Sequence, residues 1–329
     1  MARLRTITFK NGSLDVADYF DAISNSYNYL HMDTGIAGMD SPCLHADGFG
    51  VGGKVAFSSR QEIYAACRIK LADKDALRML NFTSGSTWIA CLILENYTKQ
   101  LSAWKGSSTT RLGVGPTSLN ADEVFYLEVY YKADPTNGRF VVKLNGIIEI
   151  DFTGSTSTGS AVDGVWFGAN AYTSNNHFYY DRIVVAEEWP GPCYWQNLAP
   201  TGVGNSTQWT PVPSPNWDAV NAIPQDDSQH VRTNTADQLD TYETGDLAAG
   251  VDSIKALTVW ARVWKESTPT PTQLKVALRT GGSNYLGNAK AVGVYPTIVE
   301  ARWETNPATQ AAWTPSEVNG VEIGVQSIA

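Results

Sequence analysis

Apolar and polar positions alternate with a period of two over most of the chain, and the apolar partners are largely Val, Ile, Tyr, Trp and Phe, the side chains that suit a pleated surface. In VFYLEVYYK, Phe125, Leu127, Val129 and Tyr131 fall on one face, while Tyr126, Glu128 and Tyr130 fall on the other. After ADPTNG, the run RFVVKLNG sets Phe140, Val142 and Leu144 against Val141 and Lys143. The two runs predict a hairpin whose connection takes its positive φ from Asn137-Gly138. HFYYDRIVVAEEW reads as a further strand, and TGSTSTGSAVDG, from Thr153 to Gly164, as a surface loop. Farther along, ALTVWARVWKE places Leu257, Val259, Ala261 and Val263 opposite Thr258, Trp260, Arg262 and Trp264, and TQLKVALRT alternates in the same way.

Helical spacing is confined to two short pieces. SLDVADYFDAI has Ser13 as a cap with Val16, Phe20 and Ile23 following; TPSEVNG has Thr314 as N-cap, Pro315 at N1, Glu317 at N3 and Gly320 as terminator. The pattern therefore predicts an all-β chain of two β-sandwich or jelly-roll domains with only short helical turns. In EEWPGPCYW, Pro190 and Pro192 flank Gly191 and neither proline donates to a ladder, which sets the expected boundary between residues 1–190 and 191–329. In the terminal stretch RWETNPATQAAWTPSEVNGVEIGV, Trp303 should end a strand and Asn306-Pro307 should turn the chain. Val321, Ile323 and Val325 should alternate along a returning strand, with Glu322 and Gly324 outward.

A length of 329 residues supports two cores without staples. The net charge of −9 and pI near 5.0 argue against a nucleic-acid partner, which would need clustered Lys and Arg. No window approaches the roughly 20 apolar residues of a membrane-spanning helix, and the start, MARLRTITFKNGSLDVADYF, has no apolar region behind its arginines. A soluble protein made in a reducing cytoplasm is the expectation. Cys43, Cys67, Cys91 and Cys193 form no C-x-x-C pair, so neither a zinc site nor a disulfide framework is indicated. Cys67 and Cys91 read as small core residues.

Two resemblances add to this. FYLEVYYKADPTNGRFVVKLNGIIEIDFTG, followed by YYDRIVVAE, resembles the back-to-back strands of concanavalin A-like (LamG-like) jelly rolls over roughly residues 120–186. LAPTGVGNSTQWTP, NWDAVNAIPQDDSQHV, LDTYETGDL and WETNPATQAAWTPSEVNGVEIGV, in that order, resemble the C-terminal portion of structural proteins of tailed bacteriophages, which commonly carry a concanavalin A-like domain before it. This resemblance implies a virion component assembled in the host cytoplasm, associating with other virion proteins.

The candidate chemistry is weighed against that frame. Retaining glucanases of the concanavalin A-like fold carry E-x-D on one strand with a second Glu shortly after, because one carboxylate attacks and the other donates a proton. Glu149 and Asp151 match the start of that pattern, but Thr153 and Gly154 stand where the second Glu belongs, so no enzyme is expected. His31, His45, His177 and His230 sit in polar or loop-like surroundings without a G-x-S-x-G elbow and read as surface histidines. Asp181, Asp226 and Asp227 are weak candidates for a structural calcium, with turn capping as the ordinary alternative.

Glycan or partner contact rests on Tyr172, Asn175, Asn176 and His177 in a loop beside a sheet. In the second domain it rests on Trp260, Arg262 and Trp264, where an Arg between two indoles would make a flat amphipathic face. Packing or an oligomer contact is the competing reading of such aromatics. The expectation is a non-enzymatic virion structural protein, self-associating with a trimer as first guess. It would bind host-surface polysaccharide as a tail-fibre or adsorption component, or else decorate the capsid or serve as a head appendage; a polysaccharide depolymerase of concanavalin A-like fold is the third reading, which the missing second Glu disfavours.

Overall fold

The computed structural model describes residues 3–7, 20–24, 30–39, 42–47, 51–72, 77–171, 177–191, 196–213, 215–223, 226–266 and 271–329. Chain contacts divide into two compact units, one reaching to Trp195 and the other running from Gln196 to Ala329.

In the first unit the strands are, in chain order, β1 (Arg3–Ile7), β2 (Ala22–Ser24), β3 (Leu30–Asp33), β4 (Cys43–Asp47) and β5 (Gly52–Arg60). There follow β6 (Glu62–Leu71), β7 (Leu77–Ser84), β8 (Thr87–Leu94), β9 (Gln100–Lys105) and β10 (Thr110–Ser118). The last five are β11 (Val124–Lys132), β12 (Gly138–Leu144), β13 (Ile147–Gly154), β14 (Val162–Ala171) and β15 (His177–Ala186). They form two antiparallel sheets. One runs β13-β12-β11-β6-β15-β4-β3, with β1 also pairing β15; the other runs β10-β9-β8-β7-β14-β5-β2.

The alternation read from the sequence sets the faces. Phe125, Leu127, Val129 and Tyr131 on β11, with Phe140, Val142 and Leu144 on β12, enter one core. They meet Leu80, Phe82, Leu92, Leu101, Val165 and Phe167 of the other sheet there. Tyr126 lies on the opposite face with Ala66, Val184 and Ala186 in a smaller buried cluster. The segment after β15 covers this second face. Gly191 donates its N–H to Glu128 Oε1 at 3.0 Å and accepts the Tyr126 hydroxyl, and Lys143 Nζ stands 3.6 Å from the centre of the Trp189 ring.

Two local expectations are corrected here. Ile23 lies in strand β2 rather than on a helix, and Ser13 and Val16 fall outside the described residues. Asn137-Gly138 does not take positive φ. The turn is instead held by the Asp134 carboxylate, which accepts from Thr136 N at 2.8 Å and Asn137 N at 2.7 Å, an Asx arrangement. Gly138 is required because Thr156 occupies the space of a Cβ. The tight left-handed turn comes one hairpin later, at Asn145 and Gly146, with φ of 50° and 85°.

In the second unit the strands are β16 (Pro200–Thr207), β17 (Thr210–Val212), β18 (His230–Arg232), β19 (Leu239–Thr244) and β20 (Leu257–Val263). They continue as β21 (Gln273–Thr280), β22 (Ser283–Leu286), β23 (Lys290–Ala291), β24 (Thr297–Trp303) and, after helix α1 (Pro315–Asn319), β25 (Glu322–Ile328). One sheet runs β16-β19-β25-β21-β22 with β23 on β21; β20 pairs β24, and β17 pairs β18. Val276, Leu278 and Val325 from the sheet pack on Val259 and Val299 from the β20–β24 ribbon, and Trp313, Val318 and Val321 close the same core.

The terminal stretch forms as its signals require. β24 ends at Trp303, the Trp313 indole donates to the Trp303 carbonyl at 3.0 Å, and Thr314 and Glu317 form a reciprocal capping box. Two details differ from the expectation. Gly320 ends the helix at φ −107°, without a left-handed turn. Gly324 is buried, because the Asp240 carbonyl lies where its side chain would stand.

Candidate functional site

On the seven-stranded sheet of the first unit, residues that alternate with the core side chains line up on the other face. Trp166 pairs with Asn81, Asn81 with Cys91, Cys91 with Trp104 and Trp104 with Arg111, giving one cross-strand row over β14, β7, β8, β9 and β10. Trp104 Nε1 donates to Ser102 Oγ at 2.7 Å, and the Arg111 guanidinium stands 5.8 Å from the Trp104 ring centre. Arg78 lies 5.0 Å from the centre of the Trp88 ring and donates to Ser107 O and Ser108 Oγ in the β9–β10 turn. Cys91, in the middle of the row, is fully buried, and burial raises its thiol to about 11.

At the open end of this row the β8–β9 turn and β10 enclose a groove of about 140 Å³. Glu95, Tyr97, Thr98, Gln100, Arg111 and Val114 line it. The turn is closed by Glu95 N donating to Gln100 O at 2.9 Å and by Lys99, at φ 56°, donating to Glu95 O at 3.0 Å. That closure pushes Tyr97 outward, 95% exposed. Glu95 Oε1 is shielded from water and lacks a hydrogen-bond partner among the described residues; Arg111 Nη1 is 4.0 Å away, beyond hydrogen-bond reach. The groove therefore combines an exposed ring face with a half-exposed guanidinium that is ion-paired to a shielded carboxylate.

A separate cluster lies on the other sheet. His31 and His45 are direct cross-strand partners on β3 and β4, and Asp33 lies two residues beyond His31 on the same strand. Asp33 Oδ1 is 3.2 Å from His31 Nε2 and Asp33 Oδ2 is 2.8 Å from His45 Nδ1. The two histidine nitrogens are 2.9 Å apart, and His45 Nε2 meets His177 Nδ1 at 3.0 Å. The His45 ring also stacks on Tyr179 at 4.5 Å. This corrects the surface reading for His45, which is buried, and three of the four histidines converge because β3, β4 and β15 are neighbours.

The residues singled out from sequence fall elsewhere. Tyr172, Asn175 and Asn176 lie outside the described residues, and His177 begins β15 rather than standing in a loop. Arg262 gives both Nε and Nη2 to Asp227, at 2.9 and 3.0 Å, so a carboxylate takes the guanidinium that was expected to lie between two indoles. Trp264 packs edge-on against His230, and Trp260 is half-buried on β20 opposite Glu300.

The calcium candidates are likewise engaged. Asp181 is fully buried against the Arg68 guanidinium, whose charge leaves no call for a second cation, and Asp226 accepts from Ser228 N, Ser228 Oγ and Gln229 Nε2. Glu149 and Asp151, both on β13, are engaged by different strands. Glu149 is the extra residue of a β-bulge and accepts from Thr117 N and Oγ1 on β10, at 3.1 and 2.8 Å. Asp151 holds Arg139 in a two-point ion pair that keeps its carboxyl below the usual range.

Glu95 and Tyr97 were not among the residues singled out from sequence. Their one signal is an aromatic placed within the polar turn ENYTKQ between two apolar runs.

No protein-family model and no curated protein matches the chain. Among solved structures, it is similar to alginate lyase Aly36B at 12% identity and a TM-score of 0.43, over 56% of this chain and 96% of that one. It is similar to domain 4 of AbnA, an extracellular arabinanase of Geobacillus stearothermophilus in complex with arabinotriose, at 14% and 0.41, over 57% and 93%. It is also similar to the carbohydrate-binding module CBM66 of Bacillus subtilis at 13% and 0.33, over 47% and 91%. These neighbours are carbohydrate-active or carbohydrate-binding β-sandwich proteins; at these scores the likeness carries no argument about what this chain binds.

Proposed function

We propose that the chain is a non-enzymatic structural protein of a tailed-phage particle whose first unit contacts host-surface polysaccharide through the Tyr97 groove. The observation that carries the glycan reading is the 95% exposed Tyr97 ring sharing one groove with the exposed Arg111 guanidinium, which Glu95 holds in an ion pair. A sugar offers an apolar ring face for the tyrosine and hydroxyls that both donate and accept. The Arg111 guanidinium, 55% exposed, is the charged donor in the groove that such hydroxyls can reach.

The size of the groove supports a polymer over a small ligand. At about 140 Å³ it is well under the roughly 300–1,000 Å³ of clefts that enclose a drug-sized molecule. It suits one unit of a chain that continues over the surface. The particle assignment is supported by the four ordered motifs of the second unit. The non-enzymatic assignment is supported by the engagement of Glu149 and Asp151 with separate strands.

Calorimetric titration with purified bacterial surface polysaccharides, run beside an assay for new polymer ends, tests the reading. Saturable binding without shortening of the polymer is expected. Tyr97→Ala should weaken it about tenfold or more, as truncation of an aromatic anchor does, with the melting temperature unchanged. Shortening of the polymer that is lost in Glu149→Gln would overturn the non-enzymatic reading. Density for the protein on the capsid lattice, in electron micrographs of the particle, would overturn the adsorption role.

A further inference from the structure

We infer that His31, Asp33 and His45 form a binding site for one divalent transition-metal ion, zinc foremost, on the first unit and apart from the glycan groove. The atoms that converge are His31 Nε2, His45 Nδ1 and the Asp33 carboxylate, separated by 2.8 to 3.2 Å. A tetrahedral ion with bonds of about 2.0–2.1 Å holds its ligand atoms about 3.3 Å apart. The three donors thus already stand within a few tenths of an ångström of the spacing such an ion imposes.

His45 Nε2 lies 3.0 Å from His177 Nδ1, so His45 Nδ1 is the ring nitrogen on the side of the Asp33 carboxylate and the His31 nitrogen. Without an ion these groups share protons in one hydrogen-bonded network; an ion displaces the protons between them and takes the same three atoms as ligands. A histidine that binds metal through one nitrogen and is oriented by a hydrogen bond at the other is the usual second-shell arrangement, and His177 occupies that place.

The donor set selects the ion. Two imidazoles and one carboxylate suit Zn²⁺ and its transition-metal neighbours, whereas Ca²⁺ takes six to eight oxygens. The His31 side chain is 44% exposed and that of Asp33 29%, so a fourth position opens to solvent for water or an incoming ligand atom. Because β3 is the edge of its sheet, the ion also fastens that edge to β4, where His31 and His45 face one another across the ladder.

The test uses the full chain without a histidine tag, stripped with a chelator and titrated with Zn²⁺, Co²⁺ and Ca²⁺. One Zn²⁺ per chain is expected, with Co²⁺ giving the intense visible absorption of a tetrahedral site and Ca²⁺ failing to displace either. At a hundredfold excess over Kd, Zn²⁺ should raise the melting temperature by about 5–10 °C. His31→Gln and Asp33→Asn should each cut affinity by about a hundredfold or more, and His177→Ala by about 10- to 100-fold, in the range of lost second-shell partners. His230→Ala should leave affinity as it is. A folded wild-type chain that takes up no Zn²⁺, or uptake unaltered in both His31→Gln and Asp33→Asn, would overturn the site. Circular dichroism of each variant separates loss of metal from loss of fold.

Discussion

Glu95, in the turn after β8, and Glu128, on β11, each follow a core leucine, yet their surroundings give them different roles. Glu128 is buried under the segment that ends at Gly191, and burial raises its carboxyl above the usual range against the opposing pull of the Gly191 N–H and Lys143. A raised native pKa means that stability is fully present at low pH. It falls as pH climbs through the ordinary carboxylate value, where the unfolded chain ionises first. Glu128→Gln keeps the acceptor for Gly191 and removes that loss. The variant should melt above the wild type at pH 7, and the difference should vanish as the pH is lowered to about 4; calorimetric melts across that range check it. Alternation in VFYLEVYYK placed Glu128 with Tyr126 and Tyr130, away from the main core. It did not disclose that Trp189, Pro190 and Gly191 would fold back over that face, because the covering comes from residues about 60 positions later.

At the scale of elements, the strands were legible where one face meets a core, and the connections were legible only where local chemistry decides them. The capping box of α1 is local, so Thr314, Pro315 and Glu317 could be assigned from spacing alone. The turn at Asn137-Gly138 was misassigned. The Asp134 side chain captures the turn amides and Thr156 crowds Gly138, a tertiary contact that no dipeptide signal carries. The bulge at Glu149 was hidden for the same reason: it is made by Thr117 on another sheet.

Trp313 offers a test at this scale. Its indole fills the second core and donates to the Trp303 carbonyl, joining the strand end to the helix. Trp313→Ala should cost about 3–5 kcal/mol, a fall of roughly 10–20 °C in the melting of a unit of this size. An unchanged melting temperature would mean that the terminal stretch is a contact surface rather than a structural closure.

At the scale of the whole molecule, each unit is a β structure closed around its own core, as the period-two pattern predicted. The four ordered motifs of the second unit supply its architecture. Trp209 N, Asn216 Nδ2 and the Tyr242 hydroxyl all donate to the buried Asp240, and Asn306 donates to Glu317. Those residues hold the fold of the unit together. The sites lie in the first unit and were the least legible part. His31, His45 and His177 are brought together across gaps of 14 and 132 positions by strand order, which hydrophobic alternation leaves open. Tyr97 stands out only when its exposure is known.

Hydroxyl-radical footprinting of the tyrosines, with and without saturating host polysaccharide, tests the central claim most directly. Tyr97 and Tyr295 are 95% and 83% exposed and should react at comparable rates in the free protein. The account predicts that polysaccharide protects Tyr97 and leaves Tyr295 as it was. Protection of Tyr295 with Tyr97 unchanged, under conditions where binding is saturated, would contradict it.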